Sequence, residues 1–186
     1  MVGIGQLWLP IVVSAVIVFV MSSIIHMVLP WHKGDYPALA DQDRIMDALR
    51  PFNLQPGDYM LPRPKDMADM KSAEFKEKAT RGPKVVMTVM PSGMPGMGSN
   101  LAQWFVYLLV VSFFAAYITG HALGAGANYL QVFRFAGATS FMAYALGEWP
   151  LSIWYRRGWR LAITGTLDGL IYACLTAGTF GWLWPR

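Results

Sequence analysis

Two ionisable side chains within long apolar segments are the groups of this sequence best suited to chemistry. Asp168 lies about seven residues inside the segment 161–184, roughly 10 Å deep at the rise of an α-helix. His26 lies about four residues inside the end of the segment 7–29, roughly 6 Å deep. Ionisable groups at such depths are costly in a bilayer and indicate a functional site. Because imidazole titrates near neutral pH, this candidate intramembrane polar site could relay a proton if the two helices are neighbours.

A purely structural role is the alternative for these residues. A buried His–Asp pair can fix helix packing, and Asp168 could instead be satisfied by Thr164 and Tyr172. Arg134 and Glu148 lie near opposite ends of the third apolar segment, where long side chains reach the interface. They are expected to anchor that segment, with Glu148 a further candidate for lining an ion route.

Two other sets of residues could hold a metal or a pigment. Four methionines follow one another closely enough to suggest Cu(I) ligation by thioethers: Met87, Met90, Met94 and Met97. Their alternative role is in the core of a strand and in contacts with lipid or a partner. His26 and His121 are candidate pigment or haem ligands, although the expected topology places them at opposite faces, too far apart for one haem. No cofactor is predicted.

Four apolar segments must position these residues: 7–29, 101–120, 130–149 and 161–184. Each is long enough to cross a hydrocarbon core of about 30 Å as a helix. Ten Lys and Arg residues lie between the first and second segments and three between the third and fourth. Since basic residues are retained in the cytoplasm, residues 31–100 should be cytoplasmic and both termini periplasmic.

The sequence therefore predicts an all-α membrane protein with four transmembrane helices and a small cytoplasmic α+β insert. Residues 1–30 form the first helix, 31–100 the insert and 101–186 helices two to four. In the insert, 41–50 predicts a short helix, 65–80 a second helix, and 59–61 and 85–90 strands. An isolated strand pair is marginally stable, so this insert is expected to need a partner surface.

Composition and missing motifs argue against several functions. The bases of the insert are nearly balanced by nine acidic residues, which argues against nucleic-acid binding. The sequence has no Gly-rich phosphate loop, no nucleophile elbow, no zinc-ligand spacing and no paired cysteines, so it is not expected to be an enzyme. Gly165 and Gly169, four residues apart, predict close helix packing, either within the bundle or in a homo-oligomer.

Several phrases resemble a group of small bacterial inner-membrane proteins with four predicted spans and no assigned activity. They are Trp31–Tyr36, Pro56–Met60, and Asp168–Tyr172 running on to Gly181–Pro185. This resemblance covers most of the chain and implies a bacterial inner membrane, but it implies no functional residue.

The expected function is that of a non-catalytic accessory or assembly subunit of a larger inner-membrane complex, in contact with lipid and other membrane subunits. One alternative is a small homo-oligomeric transporter or proton or ion pathway that uses His26 and Asp168. The other is a cofactor- or copper-binding membrane protein.

Overall fold

The structure is a computed structural model that describes residues 1–93 and 96–186. It divides into two units. The helical unit comprises Met1–Pro37 and Gly96–Arg186, and the insert unit comprises Ala38–Pro95.

Three helices of the helical unit are long and apolar enough to cross a membrane: α1 (Trp8–Met27), α5 (Met97–Ala122) and α8 (Trp159–Trp182). Two others, α6 (Tyr129–Ala145) and α7 (Trp149–Tyr155), connect α5 to α8. Helices α1, α5 and α8 closely match three of the four predicted spans. The chain is therefore a mostly helical membrane protein, as its hydropathy predicts.

The third apolar segment forms a shorter helix than its composition suggests. The sequence favours a span over 130–149, but α6 has 17 residues and ends at Ala145. A 3₁₀ turn over Leu146–Glu148 follows, and α7 then begins with Pro150 near its N-terminus. Glycine weakens a helix and proline cannot donate to the preceding turn, so Gly147 and Pro150 end the regular helix within a still apolar run.

Helices α6 and α8 pack closely at Gly169, one of the two glycines that the sequence singles out. A Cβ added to Gly169 would lie 2.8 Å from Cβ and 3.0 Å from Cα of Ala145. No side chain larger than hydrogen fits there without moving one helix. A Cβ on Gly165 would meet only Glu148 Cγ, at an ordinary 3.5 Å. Gly169 therefore sets the approach of α6 and α8, whereas Gly165 does not.

One end of the helical unit, here called the closed end, is held together by hydrogen bonds to backbone carbonyls and by an apolar cluster. The Val2 amide donates to Gly120 O at 2.8 Å, and the Trp184 indole donates to Gly124 O at 3.0 Å. Leu7 and Phe180, both fully buried, complete this cluster. The N-termini of α1 and α6 and the C-termini of α5 and α8 therefore meet at this end.

The described residues of the insert unit, 38–93, form three short α-helices and one two-stranded sheet. Helices α2 (Gln42–Leu49), α3 (Met67–Lys71) and α4 (Ala73–Arg81) accompany strands β1 (Gly57–Leu61) and β2 (Val85–Val89). The strands are antiparallel, with Tyr59 opposite Met87 and Met60 opposite Val86. The single helix expected over 65–80 is divided at Ser72, whose hydroxyl accepts from the Phe75 amide and caps α4.

Candidate functional site

The end of the helical unit opposite the closed end, here called the open end, contains a cavity of about 720 Å³. Ionisable and aromatic side chains of the helices and their connections converge on it. They include His26, His32, Asp35, Tyr107, Glu148, Arg157 and Asp168. A depression of the same volume beside Ala38–Arg44, in the insert unit, is lined by a single stretch of chain. We place the candidate site in the cavity because residues from distant parts of the chain meet there.

His26 and Asp168, the pair singled out by sequence, lie together at this open end. His26 Nε2 is 4.0 Å from Asp168 Oδ2. The His26 side chain is about half exposed, whereas the Asp168 side chain is 7% exposed. Both positions follow from helix packing, since α1 and α8 are neighbours and each residue lies in the half of its helix nearer the open end. Asp168 is thus held inside the protein while His26 faces the cavity.

His32 is the nearer partner of Asp168, and the sequence gives little sign of it. The chain leaves α1 at Met27 and forms a 3₁₀ turn over Pro30–Gly34. Proline fixes its own φ and suits the start of such a turn. The turn folds the His32 ring back against His26, with the ring centroids 4.5 Å apart. His32 Nε2 then lies 2.9 Å from Asp168 Oδ2.

A second carboxylate, Asp35, binds the other side of the His32 ring. His32 Nδ1 is 2.7 Å from Asp35 Oδ2. Arg160 Nε donates to Asp35 Oδ1 at 3.2 Å, and the Thr164 hydroxyl donates to Oδ2 at 3.3 Å. Burial raises the pKa of Asp35, but its interactions with His32, Thr164 and Arg160 outweigh burial and hold that pKa below its ordinary value. Asp35 is therefore a well-satisfied anion that orients His32.

Gly34 lets Arg160 reach this position. A Cβ at Gly34 would lie 3.0 Å from Cζ and Nε of the Arg160 guanidinium. The same guanidinium donates from Nη2 to Trp31 O at 2.9 Å. Arg160 therefore ties the turn after α1 to the first residues of α8, and this contact holds His32 beside Asp168.

His32 consequently stands between two carboxylates, and its two ring nitrogens have different environments. Nδ1 is 2.7 Å from the Asp35 carboxylate, which can accept a hydrogen bond from an Nδ1–H. Nε2 is close to Asp168 but makes no aligned hydrogen bond with any residue that the structure describes. Within the same described residues, Asp168 Oδ1 is also buried without a partner. Buried polar atoms are normally paired, so this end of the site has unused bonding capacity.

The far side of the cavity carries a second polar group. Arg157 Nη1 donates to Glu148 Oε2 at 3.0 Å, and its Nη2 donates to the Tyr36 hydroxyl at 3.0 Å. The Trp104 and Tyr107 rings stack with centroids 5.4 Å apart and form an aromatic wall. The cavity can therefore hold a small ion together with a ligand that has aromatic or apolar surface.

Other residues considered from the sequence lie elsewhere. His121 is in the last turn of α5 at the closed end, where its Nδ1 is 2.8 Å from Tyr117 O. The structure does not bring it near His26 or His32. Thr164 bonds to Asp35 rather than to Asp168. Glu148 pairs with Arg157, and Arg134 is exposed.

The three described methionines of the candidate copper set are divided between the two units. Met87 lies in β2, Met90 is exposed just after that strand, and Met97 begins α5. Met94 lies outside the described residues. The structure therefore assembles no copper site from Met87, Met90 and Met97 within either described unit.

Sequence reasoning missed His32, Asp35, Arg157 and Arg160 as members of the site. His32 and Asp35 fall in a polar exit from the membrane, and the two arginines act as topology signals. The signal available was local: a second histidine six residues after His26, across a proline, followed three residues later by a carboxylate.

Comparisons with models of known protein families, with curated proteins and with solved structures give no match. The resemblance to small bacterial membrane proteins therefore stays a prediction.

Proposed function

We propose that this protein is a non-catalytic accessory or assembly subunit of a larger complex in the bacterial inner membrane. In this proposal α6 is the fourth membrane-crossing helix, both termini face the periplasm and the insert unit lies in the cytoplasm. The distribution of Lys and Arg supports the orientation. The insert unit is the part that binds the partner.

The observation that carries this proposal is the lack of a core in the insert unit. None of its described residues, 38–93, is buried. A two-stranded sheet is marginal in water unless a further strand or a helix covers one face. The unit has several short elements and no interior that would hold them in place, so a partner surface would supply the missing contacts.

Exposed apolar side chains on the same unit indicate the kind of partner. Phe52 is 70% exposed, Met67 68% and Met90 76%. On the sheet, Met60 and Val86 lie opposite each other on the more exposed face. Methionine adapts its shape to irregular apolar surfaces, and the strands leave edges that a further strand could extend. The expected partner is a membrane subunit with an apolar cytoplasmic surface.

Gentle detergent extraction of the tagged native protein, followed by mass spectrometry, tests the proposal. We expect a defined set of subunits at fixed stoichiometry. A double variant, Met60→Lys with Val86→Glu, should release them because it replaces an apolar cross-strand pair by a charged one that can still pair within the sheet.

The matched control is Ala73→Glu with Thr80→Lys, at exposed positions of α4. It leaves net charge unchanged, as the sheet variant does, and should keep the partners bound. A partner-free chain that is stable and has turnover of its own would contradict the proposal. So would equal retention of partners by both double variants.

A second candidate function, a small transporter or ion pathway, is favoured by a polar stripe in α8. Asp168, Tyr172 and Thr176 are spaced four residues apart and are all buried. The Tyr172 and Tyr144 rings are 5.6 Å apart, and Ser14 donates to Ser112 at 3.0 Å in the same core. These hydroxyls extend inward from the cavity, as an ion route through the bundle requires.

Asp168→Asn discriminates the two candidates. An ion pathway should lose flux in proteoliposomes while the protein still assembles, whereas a subunit that acts through its insert should keep its partners. Unchanged flux in the variant would exclude the pathway.

A further inference from the structure

Three side chains at the open end bring ligand atoms close enough together to hold a metal ion. One atom each from His26, His32 and Asp168 can be chosen so that all lie within 4.8 Å of one another. Ligands of a tetrahedral ion with bonds of about 2.0 Å are separated by about 3.3 Å. The observed separations of 2.9 Å and 4.0 Å from Asp168 Oδ2 bracket that value. Small side-chain rotations would complete the geometry.

The environment of His32 matches that of a metal-bound histidine. Its Nδ1 is 2.7 Å from the Asp35 carboxylate, which leaves the Nε2 lone pair directed away from Asp35. Metal-ligating histidines commonly donate their other ring N–H to a carboxylate, which fixes the tautomer and raises ligand basicity. Asp35 is in turn held by Arg160 and Thr164, so the orientation of His32 is reinforced from outside the ligand set.

Two buried polar atoms of the site lie close together with unused bonding capacity. His32 Nε2 is 2.9 Å from Asp168 Oδ2. Among the described residues neither Nε2 nor Asp168 Oδ1 has an aligned partner, and the Asp168 side chain is 93% buried. Buried polar atoms are normally paired, and a cation bound between these two side chains would satisfy both.

We propose that His26, His32 and Asp168 form a binding site for one divalent first-row transition metal ion, with Asp35 as the positioning residue. Two imidazoles and one carboxylate suit Zn²⁺, Fe²⁺ or Co²⁺ better than Mg²⁺ or Ca²⁺, which prefer oxygen, or Cu⁺, which prefers sulfur. The three ligands leave a coordination position for water or a ligand from the cavity. This inference goes beyond partner binding and does not depend on it.

Metal binding to the full-length protein in detergent tests the site. The protein carries a tag without histidines, is stripped with a chelator, and is titrated separately with Zn²⁺, Co²⁺, Fe²⁺ under anaerobic conditions, and Mg²⁺. We expect one transition metal ion per chain and no stoichiometric Mg²⁺. Bound Co²⁺ should show visible ligand-field bands that report its coordination number.

Three variants distinguish the proposed metal ligands from residues that do not bind the metal. His26→Ala, at a half-exposed side chain, should weaken Zn²⁺ binding more than about 100-fold, because losing a ligand costs more than losing an outer partner of a ligand. Asp35→Asn should weaken it about 10–100-fold and shift the Co²⁺ bands. His121→Ala removes the third histidine of the chain, at the closed end, and should leave affinity unchanged.

Two results would overturn the site. One is a stripped wild-type protein that binds none of the three transition metal ions stoichiometrically. The other is a His26→Ala protein that matches His121→Ala in affinity. The His26→Ala variant decides the question because its side chain is half exposed, and a size-exclusion profile checks that the variant is folded.

Discussion

The two ends of the helical unit are built from the same helices but differ in how they satisfy their polar groups. At the closed end, Val2 and Trp184 bond to backbone carbonyls while Leu7 and Phe180 fill the space between helices. At the open end, charged side chains bond to one another around a cavity of about 720 Å³. The closed end is tightly packed with apolar side chains. The open end combines acidic and basic side chains with a cavity that could hold a ligand.

This difference assigns stability and function to separate regions. Cores tolerate few changes in volume, since every side chain contacts many others. Polar clusters with unpaired atoms cost stability and persist at sites that bind something. Substitutions at the closed end should therefore unfold the protein, whereas those at the open end should alter what it binds.

The largest expected effect is that of Phe180→Ala at the closed end. Phe180 is fully buried, and its removal should cost about 3 kcal/mol of unfolding free energy. We place it at the low end for a buried Phe because the unfolded helix remains in lipid rather than water. Leu161→Ala, at the cavity wall, should cost far less. Equilibrium unfolding in mixed micelles measures both, and similar losses would remove the distinction between the ends.

A smaller effect is expected from two glycines of α8. A Cβ on Gly181 would lie 2.6 Å from ring carbons of Tyr129, so Gly181→Ala should cost about 1–3 kcal/mol by overpacking. Gly165→Ala faces an ordinary contact with Glu148 and should be neutral or stabilising by up to about 1 kcal/mol through helix propensity. Thermal unfolding of the two variants should move in opposite directions, and equal destabilisation would mean that the open end is as tightly packed.

The smallest effect should come from Arg157→Gln at the open end. Arg157 and Glu148 are each more than a third exposed, so their ion pair should contribute about 0–1 kcal/mol. The unfolding midpoint should therefore stay close to that of the wild type. A loss comparable to that of Phe180→Ala would show that the polar rim is structural and would weaken the assignment of function to this end.

Most of the fold can be predicted from the sequence because an apolar run of about twenty residues forms a transmembrane helix in a bilayer. That reasoning gives α1, α5 and α8, and the β-branched run gives β2. It fails at α6, where composition stays apolar through Trp149 while Gly147 and Pro150 change the backbone. Hydropathy measures the environment of a segment and not its backbone geometry.

Only some residues of the candidate site can be predicted from the sequence, for a related reason. His26 and Asp168 stand out because charge is costly within apolar segments. His32 and Asp35 lie in a polar stretch where charge is ordinary, and a 3₁₀ turn carries them back to Asp168. Nothing in residue periodicity specifies that return, since it depends on Arg160 lying against Gly34 from a distant part of the chain.

The shortness of α6 has a consequence for the surrounding lipid. Its 17 residues extend about 26 Å, less than the roughly 30 Å of an average hydrocarbon core. If α6 crosses the bilayer, as proposed, the mismatch falls at the open end, where α6 gives way to α7 with Trp154 80% exposed. Lipid would thin beside the cavity and bring headgroups and water closer to Asp168. The length of the lipid acyl chains would then control how closely water and headgroups approach the site. The protein should favour thinner membranes.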